Sequence, residues 1–172
     1  AAVSLILAIA TALLLPEQRN FRPKASIRPA AEFRAVARHL VNPRLVGLVA
    51  TAFIAMGVFV SMYNFFGFRA INDFGLAPSL AGLTYVMYLS GTWSSARAGT
   101  FVSRFGRGRV VLAAAVLMLT GALVGASGNL YVTLAGLLIF TASFFALHST
   151  ASGWVGLIAD KDRAEASSLY VF

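Results

Sequence analysis

Long uncharged apolar stretches alternate with short polar segments along this chain. Four of these stretches contain no Asp, Glu, Lys or Arg, and they occupy residues 45–66, 79–96, 110–127 and 130–159. A helix needs about 20 mostly apolar residues to cross the hydrocarbon core of a bilayer. The pattern therefore predicts an all-α, polytopic bundle of transmembrane helices. Small residues within the stretches, such as the pair Gly121 and Gly125, predict close packing between helices.

Two shorter apolar stretches lie at the ends of the chain. Residues 1–15 carry no charge but are too short to span a bilayer alone, and residues 166–172 resemble the beginning of another apolar segment. We expect the first to be the end of one span and the second to be the start of another. The chain is then a fragment of a longer protein.

A basic segment, residues 16–44, separates the first apolar stretch from the others and contains seven of the 14 Lys and Arg residues. Pro23 and Pro29 interrupt its first part. Residues 30–40 have helical periodicity with an apolar face formed by Phe33, Val36, Ala37 and Leu40. The pattern predicts a linker with a short surface helix. A solvated helix and a helix that contacts lipid headgroups both fit it.

The positions of the basic residues predict how the chain is oriented. Thirteen of the 14 basic residues fall in residues 16–44, 97–109 and 160–165, and Arg69 alone falls in a turn on the opposite side. Lys and Arg in short loops favour the cytoplasmic side of a membrane. We therefore predict a multi-pass membrane protein whose linker and loop 97–109 are cytoplasmic.

Composition excludes several other classes of protein. Hydrophobic residues make up 59% of the chain, above the roughly 45–50% of soluble domains. The net charge of +8 does not indicate nucleic-acid binding, because the basic residues lie between apolar runs rather than on a soluble surface. There is no cysteine, there are two histidines, and the six acids lie in loops or at segment ends. No metal site, cofactor, phosphate-binding motif or enzymatic site is predicted.

Residues 99–111 carry a recognisable motif, Gly-Thr-Phe-Val-Ser-Arg-Phe-Gly-Arg-Gly-Arg-Val-Val. It resembles the G-x-L-A-D-R-x-G-R-R-x signature of the major facilitator superfamily, which lies between the second and third helices of each six-helix half. Ser103 stands where the family usually has Asp, and the matching residues are Gly99, Arg104, Gly106, Arg107 and Arg109. Residues 146–156 resemble the tenth helix of a bacterial branch of multidrug or sugar-efflux-like transporters.

The resemblance implies the C-terminal part of a twelve-helix secondary transporter. Residues 1–15 would end the sixth helix, the four long stretches would be the seventh to tenth helices, and residues 166–172 would begin the eleventh. The implied activity is proton-coupled efflux of a small solute by alternating access across a bacterial inner membrane, together with an N-terminal half. A small integral-membrane interaction or structural protein without a transport pathway is the alternative.

The residues of the motif have a predicted conformational role. Gly99 and Gly106 permit close backbone approach or positive φ, and Arg104 and Arg107 can bridge the inner ends of helices. Ser103 is expected to cap the next helix. We predict that these residues and Arg109 form a gating loop; arginines that only enforce topology are the alternative.

Polar groups within the predicted spans are the candidates for a substrate or proton pathway. His148 lies deep in the last complete span, and its reference pKa of about 6.5 allows it to change charge near neutrality. Tyr85 and Tyr88 share a face of one span, and Tyr63 and Asn64 lie near the outer end of another. The structural alternatives are a neutral histidine bonded to a neighbouring helix, an interfacial tyrosine and an interhelical asparagine.

Overall fold

The computed structural model describes residues 2–15, 29–159 and 163–171, and all of its regular structure is helical. The predicted all-α membrane bundle is therefore confirmed. Eight α-helices and one 3₁₀-helix are described, with these bounds: α1 Ala2–Leu14, α2 Pro29–Leu40, α3 Pro43–Asn72, α4 Pro78–Ala81, the 3₁₀-helix Gly82–Met87, α5 Tyr88–Phe105, α6 Arg107–Gly125, α7 Leu130–Ile158 and α8 Arg163–Val171.

Among the described residues, α3, α6 and α7 are long and apolar enough to cross a membrane. The stretch predicted as the span 79–96 is divided between α4, the 3₁₀-helix and the first half of α5. A 3₁₀ segment of six residues is unusually long, since the 3₁₀-helix is generally limited to three or four residues. This span is therefore more tightly wound at its outer half than at its inner half.

Helix α3 extends beyond the predicted span 45–66 at both ends. Asn42 caps its first turn, because its side-chain oxygen accepts hydrogen bonds from the backbone N–H groups of Arg44 (3.1 Å) and Leu45 (3.4 Å). At the other end the helix continues to Asn72, and the side chain of Arg69 bonds Asp73 one turn later. Polar caps and a charged pair allow a helix to continue past the hydrocarbon region.

The prediction of a loop over residues 97–109 was wrong. Gly99, Ser103 and Arg104 lie within α5, and α6 begins at Arg107. Gly106 is the one residue between the two helices, and its φ of +82° is accessible to glycine at little cost. A basic segment leaves the membrane without unwinding, because a helix satisfies its own backbone hydrogen bonds in water as well as in lipid.

Helix α7 is the centre of the bundle and contacts α3, α5, α6 and α8. Its closest approach is to α6, where a Cβ atom added at Gly121 would lie 2.5 Å from the backbone nitrogen of Phe140. A Cβ at Gly136 would collide with the backbone of Gly125. The close packing predicted from Gly121 and Gly125 is therefore present.

Serines join α5 to α7. The hydroxyl of Ser94 donates to the carbonyl oxygen of Ala142 at 2.6 Å, and the hydroxyls of Ser95 and Ser149 are 2.5 Å apart. Side-chain hydrogen bonds between helices are a recognised contribution to association in membranes. The small serines of α5 therefore supply both close approach and polar contacts.

The short helices α2 and α8 contact each other at the end of the bundle where α3 begins and α7 ends. Helix α2 buries Ala35 and His39, whereas Phe33 is 77% exposed and Leu40 is 54% exposed. The predicted apolar face of this surface helix is therefore not the face that packs on the described protein. Residues 16–28 of the predicted linker lie outside the described residues.

Candidate functional site

Tyr63 and Thr141 form a buried hydrogen bond between two spanning helices. Their hydroxyl oxygens are 2.7 Å apart, and the hydroxyl of Thr141 also donates to the carbonyl oxygen of Leu137 at 2.7 Å. A hydroxyl has a single proton, so Tyr63 donates to Thr141 when Thr141 donates to the carbonyl. At 1.5 Å of rise per residue, this pair lies about 14 Å from the outer end of α3.

Three tyrosines meet at this depth. The ring centroid of Tyr63 is 5.7 Å from that of Tyr85 and 5.0 Å from that of Tyr88, and the last two are 5.6 Å apart. Tyr63 comes from α3, whereas Tyr85 comes from the 3₁₀-helix and Tyr88 begins α5. Tyr63 is 7% exposed and Tyr85 is 58% exposed. The group therefore runs from the protein interior to an open face.

Aromatic contacts connect these tyrosines to His148. The ring of Phe59 lies 5.0 Å from Tyr63 and stacks on Phe144 at 4.0 Å, and Phe144 stacks on His148 at 5.6 Å. His148 in turn lies 5.4 Å from Tyr170 of α8. We call the six rings in contact the aromatic series, and its members are Tyr85, Tyr63, Phe59, Phe144, His148 and Tyr170.

His148 is half-buried near the inner end of the aromatic series. The hydroxyl oxygen of Tyr170 is 3.3 Å from its Nδ1 and 3.2 Å from its backbone carbonyl oxygen. In the part of the chain that the structure describes, Nε2 has no hydrogen-bond partner. One ring nitrogen is therefore held by protein, and the other is available.

A cavity of about 1130 Å³ adjoins His148 and Tyr170 between α3 and α8. Most of its lining is apolar and comes from α3, including Phe53, Met56 and Phe65, and Ser61 contributes a hydroxyl. Binding sites for small molecules are typically apolar cavities with a few placed polar groups. This cavity has that composition.

The structure brings together four of the five predicted pathway residues. Tyr63, Tyr85, Tyr88 and His148 are in contact directly or through Phe59 and Phe144. Asn64 is exposed on another face of α3 and lies outside this group. Thr141 and Tyr170 could not be recognised from the sequence, because neither has a local signal and each depends on a partner on another helix.

Three relatives are similar to nearly the whole chain. The inner membrane transport protein YnfM of Escherichia coli (strain K12) is 42% identical over 170 residues, which cover 96% of this chain and 40% of YnfM. An uncharacterized transporter of Buchnera aphidicola subsp. Schizaphis graminum (strain Sg) is 35% identical over 159 residues, which cover 92% of this chain and 38% of that transporter. The uncharacterized MFS-type transporter YybF of Bacillus subtilis (strain 168) is 29% identical, over 99% of this chain and 42% of YybF.

The similarity to named transporters, one of them MFS-type, extends along nearly the whole chain. The chain spans about two fifths of the length of the relatives it matches. No protein-family model matches the chain, and no solved structure does. Transport is what the names of these relatives describe, and the resemblance of residues 99–111 to the superfamily signature agrees with them.

The residues that resemble the superfamily signature lie at and beside the turn between α5 and α6. Gly99, Ser103, Arg104, Gly106, Arg107 and Arg109 are all exposed. The predicted cap is wrong, because the hydroxyl of Ser103 donates to the carbonyl oxygen of Thr100 at 2.8 Å and α6 has no side-chain cap. Arg104 lies over the ring of Phe105 at 5.9 Å. The predicted bridges from Arg104 and Arg107 to other helix ends are not formed among the described residues.

Arg69, the basic residue that the charge pattern set apart, lies in the last turn of α3 rather than in a turn between helices. It joins the outer end of α3 to the turn between α6 and α7, because its Nη1 donates to the carbonyl of Gly125 at 3.0 Å and its Nη2 donates to that of Ser127 at 2.8 Å. Its Nε donates to Asp73 at 3.0 Å, and its guanidinium lies 5.1 Å from the ring of Phe74. Its side chain is only 14% exposed.

Proposed function

We propose that this chain is the C-terminal part of a secondary transporter that moves a small solute by alternating access. The proposed activity is proton-coupled efflux across a bacterial inner membrane. Relatives named as transporters match the chain along nearly its whole length, which supports transport. The chain spans about two fifths of those relatives, and the proposed partner is an N-terminal half that completes the pathway.

The observation that carries this proposal is the aromatic series. Polar side chains inside a membrane are costly, so they usually face a cavity or one another and mark a pathway. Here Tyr85, Tyr63, His148 and Tyr170 place three hydroxyls and an imidazole on one connected set of rings that joins the 3₁₀-helix, α3, α7 and α8.

Each part of the series suits a separate task in transport. Aromatic rings bind planar or cationic solutes by stacking and by cation–π attraction, worth about 0.5–2 kcal/mol for each cation–π contact. The exposed ring of Tyr85 offers such a surface. His148 can exchange a proton near neutral pH. We propose that the tyrosines contact the solute and that His148 couples the proton.

The turn at Gly106 has a proposed gating role. Arg104, Arg107 and Arg109 are exposed at the predicted cytoplasmic end, and they make no hydrogen bond or ion pair with the described residues. We propose that they contact acidic or carbonyl groups of the N-terminal half in one of the two access states. Arginine suits this role because its planar fork donates several hydrogen bonds at once.

The test is transport by the intact protein with His148 replaced. Bacterial cells without their major efflux pumps would express the protein, and efflux of ethidium and of radiolabelled lactose would be followed between pH 5.5 and 8. We expect efflux of at least one probe, and we expect a protonophore to abolish it. His148→Ala and His148→Asn should lower the rate at least tenfold and flatten its pH profile, because neither side chain titrates there.

The matched control is Tyr131→Phe, which removes a hydroxyl from an 80% exposed side chain at the outer end of α7. It should transport at the parent rate. Membrane abundance of every variant is measured by immunoblotting. Normal transport with an unchanged pH profile in both His148 variants would refute proton coupling at this residue, and efflux of neither probe by the inserted parent protein would refute the proposed activity.

A further inference from the structure

The contact between Tyr170 and His148 favours one position for the proton of the neutral imidazole. A backbone carbonyl oxygen can only accept a hydrogen bond, so the contact of 3.2 Å between the Tyr170 hydroxyl and the carbonyl of His148 is a hydrogen bond only when the hydroxyl donates its single proton there. The same hydroxyl lies 3.3 Å from Nδ1 of that ring. With its proton already committed, the hydroxyl oxygen can bond Nδ1 only as an acceptor. Both contacts are satisfied together when Nδ1 carries the hydrogen.

We propose that Tyr170 is a positioning residue that holds neutral His148 as the Nδ1–H tautomer and leaves Nε2 bare. Nε2 is then the atom at which His148 accepts a proton, or a hydrogen bond from the N–H or O–H group of a solute. This inference rests on the proposed function for one point, that His148 lies on the transport pathway. The tautomer rests on the two contacts of the Tyr170 hydroxyl, which only the Nδ1–H form satisfies together.

Packing restricts the other orientations of the ring. Phe144 stacks on His148 with an interplanar angle of 20°, and the ring of Tyr170, which is 5% exposed, is tilted by 39° to the imidazole at 5.4 Å. Rotating the imidazole would exchange its two nitrogens only by breaking the bond to the hydroxyl and disturbing both aromatic contacts. The ring is therefore held in one orientation by α7 and α8 together.

Charged groups do not compete for the ring within the described residues. Tyr170 from α8 is the titratable group in contact with His148, and the residues of α3 that line the adjoining cavity carry no acid or base. The hydrogen on Nδ1 is retained when the ring becomes positively charged, because both nitrogens are donors in the imidazolium ion. Proton exchange at Nε2 thus needs no movement of Tyr170 and no rotation of the ring.

The test is ¹⁵N NMR of histidine in the intact protein, labelled at the ring nitrogens and reconstituted in nanodiscs. The His148 signal is assigned from its absence in His148→Gln. Above pH 8 the parent protein should show the coupling pattern of the Nδ1–H tautomer, and acid should add the second proton at Nε2. Tyr170→Phe keeps the ring but removes the hydroxyl, and it should lower the ratio of Nδ1–H to Nε2–H by about two- to tenfold, the factor that corresponds to one net hydrogen bond.

Tyr131→Phe is the matched control and should leave the tautomer ratio unchanged, since the Tyr131 ring is exposed and distant in sequence from His148. An Nε2–H signal in the parent protein would overturn the inference, and so would an unchanged ratio in Tyr170→Phe. The parent spectrum decides the question even where Tyr170→Phe inserts poorly. If the Nδ1–H tautomer is found but His148→Ala transports normally, the inference holds and the proposed proton coupling fails.

Discussion

Replacement of Arg69 by methionine should destabilise the outer end of the bundle more than any change to its acidic partner. Arg69 donates to two backbone carbonyls, those of Gly125 and Ser127, where α6 ends and the turn to α7 begins. Carbonyls at a helix C-terminus lack partners within the helix and interact favourably with a cation. Arg69→Met keeps a long apolar stem and removes all of these contacts.

The magnitude follows from the number and kind of bonds. Hydrogen bonds to a charged group contribute about 1.5–3 kcal/mol each, and the low end applies here because water reaches the membrane surface. Two such bonds give a loss of about 3 kcal/mol, or roughly a hundredfold in the unfolding equilibrium. Asp73 is 51% exposed, and an exposed ion pair contributes about 0–1 kcal/mol. Asp73→Asn should therefore cost less than about 1 kcal/mol.

The assay is thermal unfolding of the purified protein in nanodiscs, followed by circular dichroism. A change of 1 kcal/mol shifts Tm by about 2–4 °C for a chain of 150–250 residues, so Arg69→Met should lower Tm by roughly 6–12 °C and Asp73→Asn by less than about 4 °C. Arg69→Lys keeps the charge with fewer donors and should fall between them. Equal shifts for Arg69→Met and Asp73→Asn would refute the carbonyl contacts as the source of stability.

Two further predictions concern topology and helix packing. Single cysteines at Ser26, Gly108 and Asp162 should react with an impermeant maleimide only from the cytoplasmic side, and those at Asn72 and Gly128 only from outside; the reverse labelling at Gly108 and Gly128 would refute the orientation. Gly121→Ala should lower stability by about 1–3 kcal/mol in the same thermal assay, because the new Cβ would lie 2.5 Å from the backbone nitrogen of Phe140. Gly57→Ala is the control, because its new Cβ would meet nothing within 4 Å. An equally large loss of stability in Gly57→Ala would contradict the steric explanation for Gly121.

The approximate positions of the long apolar helices α3, α6 and α7 could be predicted because hydrophobicity identifies the segments that can enter a membrane. The predicted span 130–159 is one residue longer than α7, Leu130–Ile158, at its C-terminal end. The ends that project into water were harder to predict. In residues 97–105 charge indicated exit from the membrane, but exit does not require a loop, and α5 continues until Gly106 permits a positive φ.

The candidate site was predictable only in part. Tyr63, Tyr85, Tyr88 and His148 stand out as polar groups in apolar stretches, and that signal is local. Their partners are Phe59, Phe144 and Thr141, which look like ordinary membrane residues until the packing of α3 on α7 brings them together. Tyr170 faces His148 only because α8 folds back on α7. Contacts of this kind depend on tertiary structure and leave no pattern in the sequence.

Two of the three arginines beside Gly106 are placed against the electrostatics of their own helix. Arg107 and Arg109 lie in the first turn of α6, where the helix dipole disfavours a cation by about 0.3–1 kcal/mol, and that turn has no acidic residue. Arg104 lies in the last turn of α5, where the dipole favours it. Because Gly106 alone separates the two helices, a small rotation of its backbone changes the distance between Arg104 and Arg107. Negative groups that contact Arg107 and Arg109 would offset the unfavourable interaction of these cations with the dipole of α6. The proposed contact with an N-terminal half would supply such groups.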